Sequence, residues 1–163
     1  MTARSIYRAD AAINTLVEDA ISLCVTDFKE NNIRLELDLA KNLPDVTIDS
    51  VQIEQVLLNL IRNSIDALKD LPQKIPRQVL IQTHRKGLNQ IKIKVKDNGS
   101  GIDEAQKEKI LKPFFTTKPT GMGMGLSISR SIIEAHEGVL SFDSKPGEGA
   151  AFYFTLPVKR KVK

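Results

Sequence analysis

Apolar residues recur at helical spacing through Ile13, Leu16, Val17, Ala20, Ile21, Leu23, Cys24 and Phe28. This stripe predicts a helix from Ala11 to about Glu30, with Asp10 as its N-cap and Ser5-Ile6-Tyr7 as a short edge strand ahead of it. Asn31-Asn32 ends that helix, and Ile33–Leu39 then alternates with period two, as a half-buried strand does. Leu43-Pro44-Asp45 turns the chain. A second helix is predicted from Asp49 or Ser50 to about Lys69, on Ile53, Val56, Leu57, Leu60, Ile61, Ile65 and Leu68. Beyond a loop at Leu71–Arg77, Gln78–Thr83 and Gln90–Lys96 read as strands paired around a turn at Lys86–Asn89. A short helix is expected from Asp103 to about Leu111, and another from Met124 to His136, closed by Gly138. Val139–Asp143 and Ala150–Pro157 make a last hairpin across Lys145–Gly149. Strands and helices in this order imply a mixed sheet covered on one face by helices, an α/β architecture of two layers.

A length of 163 residues suits one domain spanning 1–163, with 1–4 and 158–163 as linker or tail. The net charge of +4 is too mild to argue for nucleic acid, and much of it sits in Lys159–Lys163. Cys24 is the only cysteine, so neither an intrachain disulfide nor a cysteine metal cluster is possible, and its apolar neighbours suit a buried small hydrophobe. The longest apolar runs, Val56–Leu58 and Leu60-Ile61, are far too short to span a membrane. The start of the chain lacks the apolar stretch of a signal peptide. A soluble, cytoplasmic domain without direct membrane contact is expected, within a parent protein that membrane segments elsewhere can anchor.

Three segments carry candidate chemistry. Lys112–Leu126 places two aromatics, two hydroxyls, a lysine and glycines at 121, 123 and 125 just ahead of an amphipathic helix. Such glycines let backbone approach a bulky anion, and the helix start directs free N–H groups at it, so a phosphate chain is the natural guest. Read alone, the segment is also ordinary glycine-rich punctuation before a helix. Asn59, Asn63 and Asp66 line one stripe of the second helix, beside its apolar face. They are either a solvated polar edge or amide oxygens for a hard cation such as Mg²⁺, with Asn63 as ligand and Asn59 near phosphates. Arg62 adds charge to that stripe or is a surface arginine. Asp97-Asn98-Gly99-Ser100-Gly101 follows a strand and is either an Asx-capped turn or a receptor for an exocyclic amine, with Ile102 and Leu126 as apolar walls for a base.

Taken together, these segments resemble the sequence boxes of bacterial sensor histidine kinases. Gln52–Ala67 is similar to their N box, Asp97–Gly101 to their G1 box, Lys112–Lys118 to their F box and Gly121–Leu126 to their G2 box. The stretch Gly125–Gly138 is most similar to the FixL-like and nitrogen-regulator branch, and the likeness runs from about Ser5 to Val158. The resemblance implies a Bergerat fold: a two-layer α/β sandwich of a five-stranded mixed sheet with three main helices on one face. It implies that ATP and Mg²⁺ bind, with Asn63 on the metal and Asp97 on the adenine amine. Asn59, Asn63 and Lys118 form the implied catalytic set. Around them, Arg62, Asp66, Gly99, Gly101, Ile102, Phe114, Thr116, Thr117, Gly121, Met122, Gly123, Met124, Gly125 and Leu126 complete the implied ATP site. Residues from about 105 to 122 would form a lid, with Phe114 and Phe115 anchoring it.

Two departures shape the functional expectation. Sensor kinases phosphorylate a histidine on a separate helical hairpin that also dimerises them, whereas His84 and His136 here lie in no matching motif. The chain is therefore expected to be the catalytic domain of a longer kinase, monomeric in isolation. Its partners would be the parent's dimerisation and phosphoacceptor domain and, indirectly, a response regulator receiver domain. Clamp-type ATPases related to gyrase place a glutamate one turn before the metal-binding asparagine, as a base for water; Asn59 stands there instead, so hydrolysis is expected to be slow. Two alternatives remain open at this level: an ATP-sensing module without transfer, and a serine kinase of the anti-sigma type on the same fold.

Overall fold

The computed structural model describes residues 7–110 and 125–158. The chain runs β1 (Ala9–Ala11), α1 (Ile13–Glu30), β2 (Ile33–Leu39), β3 (Val46–Ile48), α2 (Ser50–Lys69), β4 (Arg77–Lys86) and β5 (Gln90–Asp97). It continues through α3 (Glu104–Lys107), α4 (Gly125–Ala135), β6 (Leu140–Ser144) and β7 (Ala150–Pro157).

Five strands form one mixed sheet in the order β2-β4-β5-β7-β6. β2 lies parallel to β4, Leu35 opposite Val79, and the crossover between them carries α2. The remaining neighbours are antiparallel, with Ile93 opposite both Thr83 and Phe154. One face of the sheet is apolar because alternate residues of each strand point the same way: Val79 and Ile81, Ile91, Ile93 and Val95, Phe152, Phe154 and Leu156 are all buried. Helices α1, α2 and α4 cover that face. Helix α2 contributes seven buried aliphatic side chains, each stabilising the fold by about 1.5–3 kcal/mol. The opposite face is polar: Lys92 lies 4.0 Å from the centroid of the Tyr153 ring, and Gln82 donates to Asp38 at 3.0 Å.

Several expectations need correction. Asp10 is not the cap of α1. It lies in β1, where its carboxylate accepts from the Thr47 hydroxyl at 2.9 Å, while Ala12 stands at the helix start without a side-chain cap. The edge strand expected at Ser5–Tyr7 is β1 at Ala9–Ala11, antiparallel to β3 with Asp10 opposite Thr47; Ser5 and Ile6 lie outside the described residues. β3 itself was not expected, since three residues are too few for a visible alternation. The short helix after Asp103 is only one turn, Glu104–Lys107, with no buried residue to extend it. Gly138 closes α4 for an unexpected reason. The left-handed residue is Glu137, at φ 62°, and Gly138 donates back to the Ile133 carbonyl at 2.9 Å. A Cβ on Gly138 would overlap the Thr155 carbonyl oxygen of β7, so it is this close approach that requires glycine. Val158, expected in the tail, still donates to the Asn89 carbonyl at 2.8 Å and packs against the core.

The start of α2 is as expected. The Asp49 carboxylate accepts from the Gln52 N–H at 3.2 Å, and its carbonyl accepts from Ile53 at 3.0 Å. The far ends of α1 and α2 are held by one side chain. Arg77 donates to the carbonyl of Asn31 at 2.8 Å, and to those of Leu71 and Lys69 at 3.3 and 3.5 Å.

Candidate functional site

Helix α2 brings the candidate residues together. Its apolar stripe faces the sheet, and the flank carrying Asn59, Asn63 and Asp66 is half-buried beside that stripe. Asn59 donates from its amide to the Ser129 hydroxyl of α4 at 3.0 Å. Gly125, the first residue of α4, lies so close that a Cβ there would come within 2.8 Å of the Asn59 side-chain oxygen. The N-box helix and the end of the glycine-rich segment therefore meet at one asparagine.

Two turns along α2, the same helix meets the turn after β5. Asp97 ends that strand, 3% exposed, and its carboxylate accepts from the Gly99 N–H at 2.9 Å. A Cβ on Gly99 would stand 3.2 Å from the Ala67 carbonyl of α2 and 2.9 Å from the Asp97 carboxylate. The turn thus fits under the carboxylate only because Gly99 lacks a side chain. Burial pushes the Asp97 pKa above the ordinary carboxylate value, opposed by hydrogen bonds from the Gly99 and Ala150 backbone and by the nearby Ser64 hydroxyl. The Ser64 hydroxyl favours the charged carboxylate by its proximity, yet closes no hydrogen bond of normal geometry. From Asn59 to Ala67 the helix rises about 12 Å, which separates the amide end of this flank from its carboxylate end.

Ile102 and Leu126 are half-buried and pack against the core cluster. Gly101, at φ +80°, has a packing reason: a Cβ would overlap the Lys145 carbonyl oxygen in the β6–β7 turn, and the neighbouring Ile102 N–H donates to the Ser144 hydroxyl at 2.8 Å. Arg62 is exposed and lies close enough to Cys24 of α1 to favour its thiolate, although burial dominates and raises that pKa. Asp66 forms an ion pair with Lys69 at 3.6 Å on the helix surface. Leu111, Phe114, Phe115, Thr116, Thr117, Lys118, Gly121, Met122, Gly123 and Met124 lie outside the described residues, and with them most of the lid segment expected at 105–122.

Two residues escaped the sequence reading. Ser129 holds Asn59 across 70 positions, and nothing local announces such a pair. Ser64 did carry a signal: it interrupts the apolar stripe of α2 four residues after Leu60 and four before Leu68, where a hydroxyl has no packing reason. His136 is buried and structural. Its Nδ1–H donates to the Ile132 carbonyl at 2.8 Å and its Nε2 accepts from the Asp49 N–H at 3.1 Å. His84 lies in β4, and burial together with Lys92 and Lys94 lowers its pKa.

Known proteins share the fold described above. Residues 48–160 match the family model described as histidine kinase-, DNA gyrase B- and HSP90-like ATPase. The sensor protein FixL of Bradyrhizobium diazoefficiens is 40% identical over 90% of this chain, and the sensor protein TdiS of Thauera aromatica is 38% identical over 93% of it. The matched region is 28% of each relative, so the chain spans little more than a quarter of their length. The nucleotide-free catalytic domain of the histidine kinase ThkA superposes with a TM-score of 0.80 at 30% identity, covering 93% of this chain and 95% of that one. ThkA in complex with the response regulator TrrA superposes with a TM-score of 0.77 at 29% identity, covering 93% and 42%. A shared five-stranded sheet, the same helical layer and a match running from the strand before α2 to the end of β7 leave one assignment: the chain belongs to the histidine kinase-, DNA gyrase B- and HSP90-like ATPase family, as a histidine kinase ATPase domain.

Proposed function

We propose that this chain binds Mg-ATP along α2 and donates the γ-phosphoryl group to a histidine on a separate dimerisation and phosphoacceptor domain of the same parent protein. Domains of this family bind ATP. The observation that carries the reading is the buried Asp97 carboxylate over the Gly99 turn, one end of a helix whose other end brings Asn59 against Gly125. Asp97 would accept from the adenine amine, Ile102 and Leu126 would flank the ring, and Asn59, Gly125 and the segment Gly121–Met124 would face the phosphates.

The residues present suit Mg²⁺. The half-buried Asn63 amide offers one neutral oxygen, and Mg²⁺ keeps most of its coordination for water and phosphate oxygens. When bound, the ion supplies positive charge against the phosphate oxygens. The chain's own contribution is positioning and exclusion of a hydrolytic base: Asn59 is bonded to Ser129 and has no carboxylate with which to take a proton from water. Lys118 would add positive charge at the phosphates. The proton on the acceptor histidine would leave to a group on the acceptor domain. Onward transfer to a response regulator is supported by the complex that ThkA forms with TrrA.

The test has two stages. Calorimetric titration with a non-hydrolysable ATP analogue and Mg²⁺ is expected to show binding by the wild type that Asp97→Ala removes while the fold persists. Radiolabelled ATP and a histidine-bearing acceptor domain should then give an acid-labile, base-stable label on the acceptor. Binding without any transfer would leave an ATP-sensing module, and an acid-stable label would mark a serine kinase.

A further inference from the structure

From Ser100 to Lys107 no residue is fully buried, and only Ile102 packs, half-buried, against the core. The single turn of α3 buries nothing at all. A segment with so little burial keeps its shape through polar contacts. Here they converge on the exposed turn between β6 and β7. The Gly147 N–H donates to the Ser100 carbonyl at 2.6 Å. Ser144, the last residue of β6, does more. Its hydroxyl accepts the Ile102 N–H at 2.8 Å and donates to the Gly149 carbonyl at 3.0 Å, so donor and acceptor are both used. Its own carbonyl accepts from the Lys107 ammonium, which also pairs with Glu104 at 2.8 Å. Gly149 in turn lies so close to the Asp97 carbonyl that no Cβ would fit. One serine thus ties together Ile102, α3 and the start of β7, which backs Asp97.

We infer that Ser144 is a positioning residue of the nucleotide site. It acts through Ile102, Lys107 and Gly149, and holds the segment after β5 in its binding shape before any ligand arrives. This rests on the nucleotide reading above and adds to it a residue on the far strand of the sheet. Ordering a loop in advance removes that cost from binding. Without the serine, the apparent affinity falls with the fraction of molecules whose segment is in place, although every group that meets the nucleotide is unchanged.

The experiment is calorimetry with a non-hydrolysable ATP analogue and Mg²⁺ on the wild type, Ser144→Ala, Ser144→Thr and Asn14→Ala, beside amide hydrogen exchange of the nucleotide-free proteins. Asn14→Ala is the control for stability alone. Asn14 donates to the Ala40 carbonyl and accepts from the Thr83 hydroxyl, both at 2.8 Å and away from this segment. Ser144→Ala is expected to bind roughly three- to tenfold more weakly, the range of one hydrogen bond between neutral groups, and to exchange its Ile102 amide faster. Ser144→Thr keeps the hydroxyl and should retain the wild-type affinity. Asn14→Ala should melt lower yet bind as the wild type does. Equal affinity of wild type and Ser144→Ala would overturn the inference, as would an Ile102 amide that exchanges no faster. A loss in Ser144→Thr or Asn14→Ala as large as that in Ser144→Ala would overturn it too. If Ser144→Ala does not fold, Lys107→Met decides: it removes only the ammonium bond, is expected to weaken binding in the same direction, and contradicts the inference if affinity is unchanged. A wild type that binds no adenine nucleotide would instead overturn the proposed function, and this inference with it.

Discussion

The Nε2 of His136, just past the end of α4, accepts the backbone N–H of Asp49, the residue that caps α2, at 3.1 Å. The same ring donates from Nδ1 to the Ile132 carbonyl at 2.8 Å, so the imidazole is held neutral and its tautomer is set by its two partners. Burial lowers its pKa, with the Arg8 charge adding to the effect and the Asp49 charge and the Ile132 bond opposing it. The last turn of one helix over the site is thereby joined to the first turn of the other.

That arrangement predicts a pH dependence. The folded pKa of His136 lies below the unfolded value of about 6.5, so the unfolded chain binds more protons as the pH falls. The stabilisation is complete above about pH 6.5 and is lost progressively as the pH drops toward the folded pKa. His136→Ala is expected to flatten the dependence over that interval and to cost about 1–3 kcal/mol at pH 7.5, by leaving the Asp49 N–H unpaired. Urea melts from pH 5 to 8 measure both effects.

Asp97 has the opposite sign. Its folded pKa is raised, so the folded protein binds the extra proton, and keeping the carboxylate charged costs stability once the pH rises above its unfolded value. Asp97→Asn keeps an oxygen for the Gly99 N–H and removes that cost. It is expected to raise the melting temperature at pH 7.5 while weakening ATP binding by about 10- to 100-fold, the range for a hydrogen bond to a charged group. Calorimetry beside thermal melts would show stability and affinity moving in opposite directions; a variant that loses both would contradict this account.

Gly125→Ala tests the contact between α4 and Asn59. In most helices this replacement adds stability, by about 1 kcal/mol. Here the new methyl would stand 2.8 Å from the Asn59 oxygen and 3.0 Å from its nitrogen, so Asn59 must move. Fluorescent-nucleotide titration is expected to show weaker ATP binding, with little change in stability. An unaltered affinity would show that the position of Asn59 is immaterial to the ligand.

Arg77 offers a purely structural test. Its guanidinium donates to carbonyls at the ends of both α1 and α2, where a cation is also favoured by the helix dipoles. Arg77→Ala is expected to destabilise the fold by about 1–3 kcal/mol in urea titration. Arg77→Lys should recover only part of this, because an ammonium lacks the planar fork that reaches three carbonyls.

Much of this molecule was legible along the chain. The apolar stripe Ile53–Leu68 specified α2, the alternation in Ile33–Leu39 and Gln90–Lys96 specified two strands, and the motif segments placed Asn59, Asn63, Asp97 and Gly125 on their elements. These features are local: a helix or strand buries one face, and its period records that face within a few residues. The tertiary structure decided what periodicity cannot carry. Three-residue strands such as β1 and β3 are too short to alternate visibly, and each exists because the other pairs with it, Ala9 opposite Ile48. Asn59 with Ser129, His136 with Asp49 and Arg77 with Asn31 join residues 46 to 87 positions apart. The need for glycine at 138 comes from a strand that passes later in the chain. Ser64 stands between the two cases. Its position in an apolar stripe is written in the sequence, but only the packed core leaves its hydroxyl beside Asp97 without a partner. Burial pattern is a property of neighbours along the chain, whereas the pairing of polar groups depends on which distant backbone closes over them.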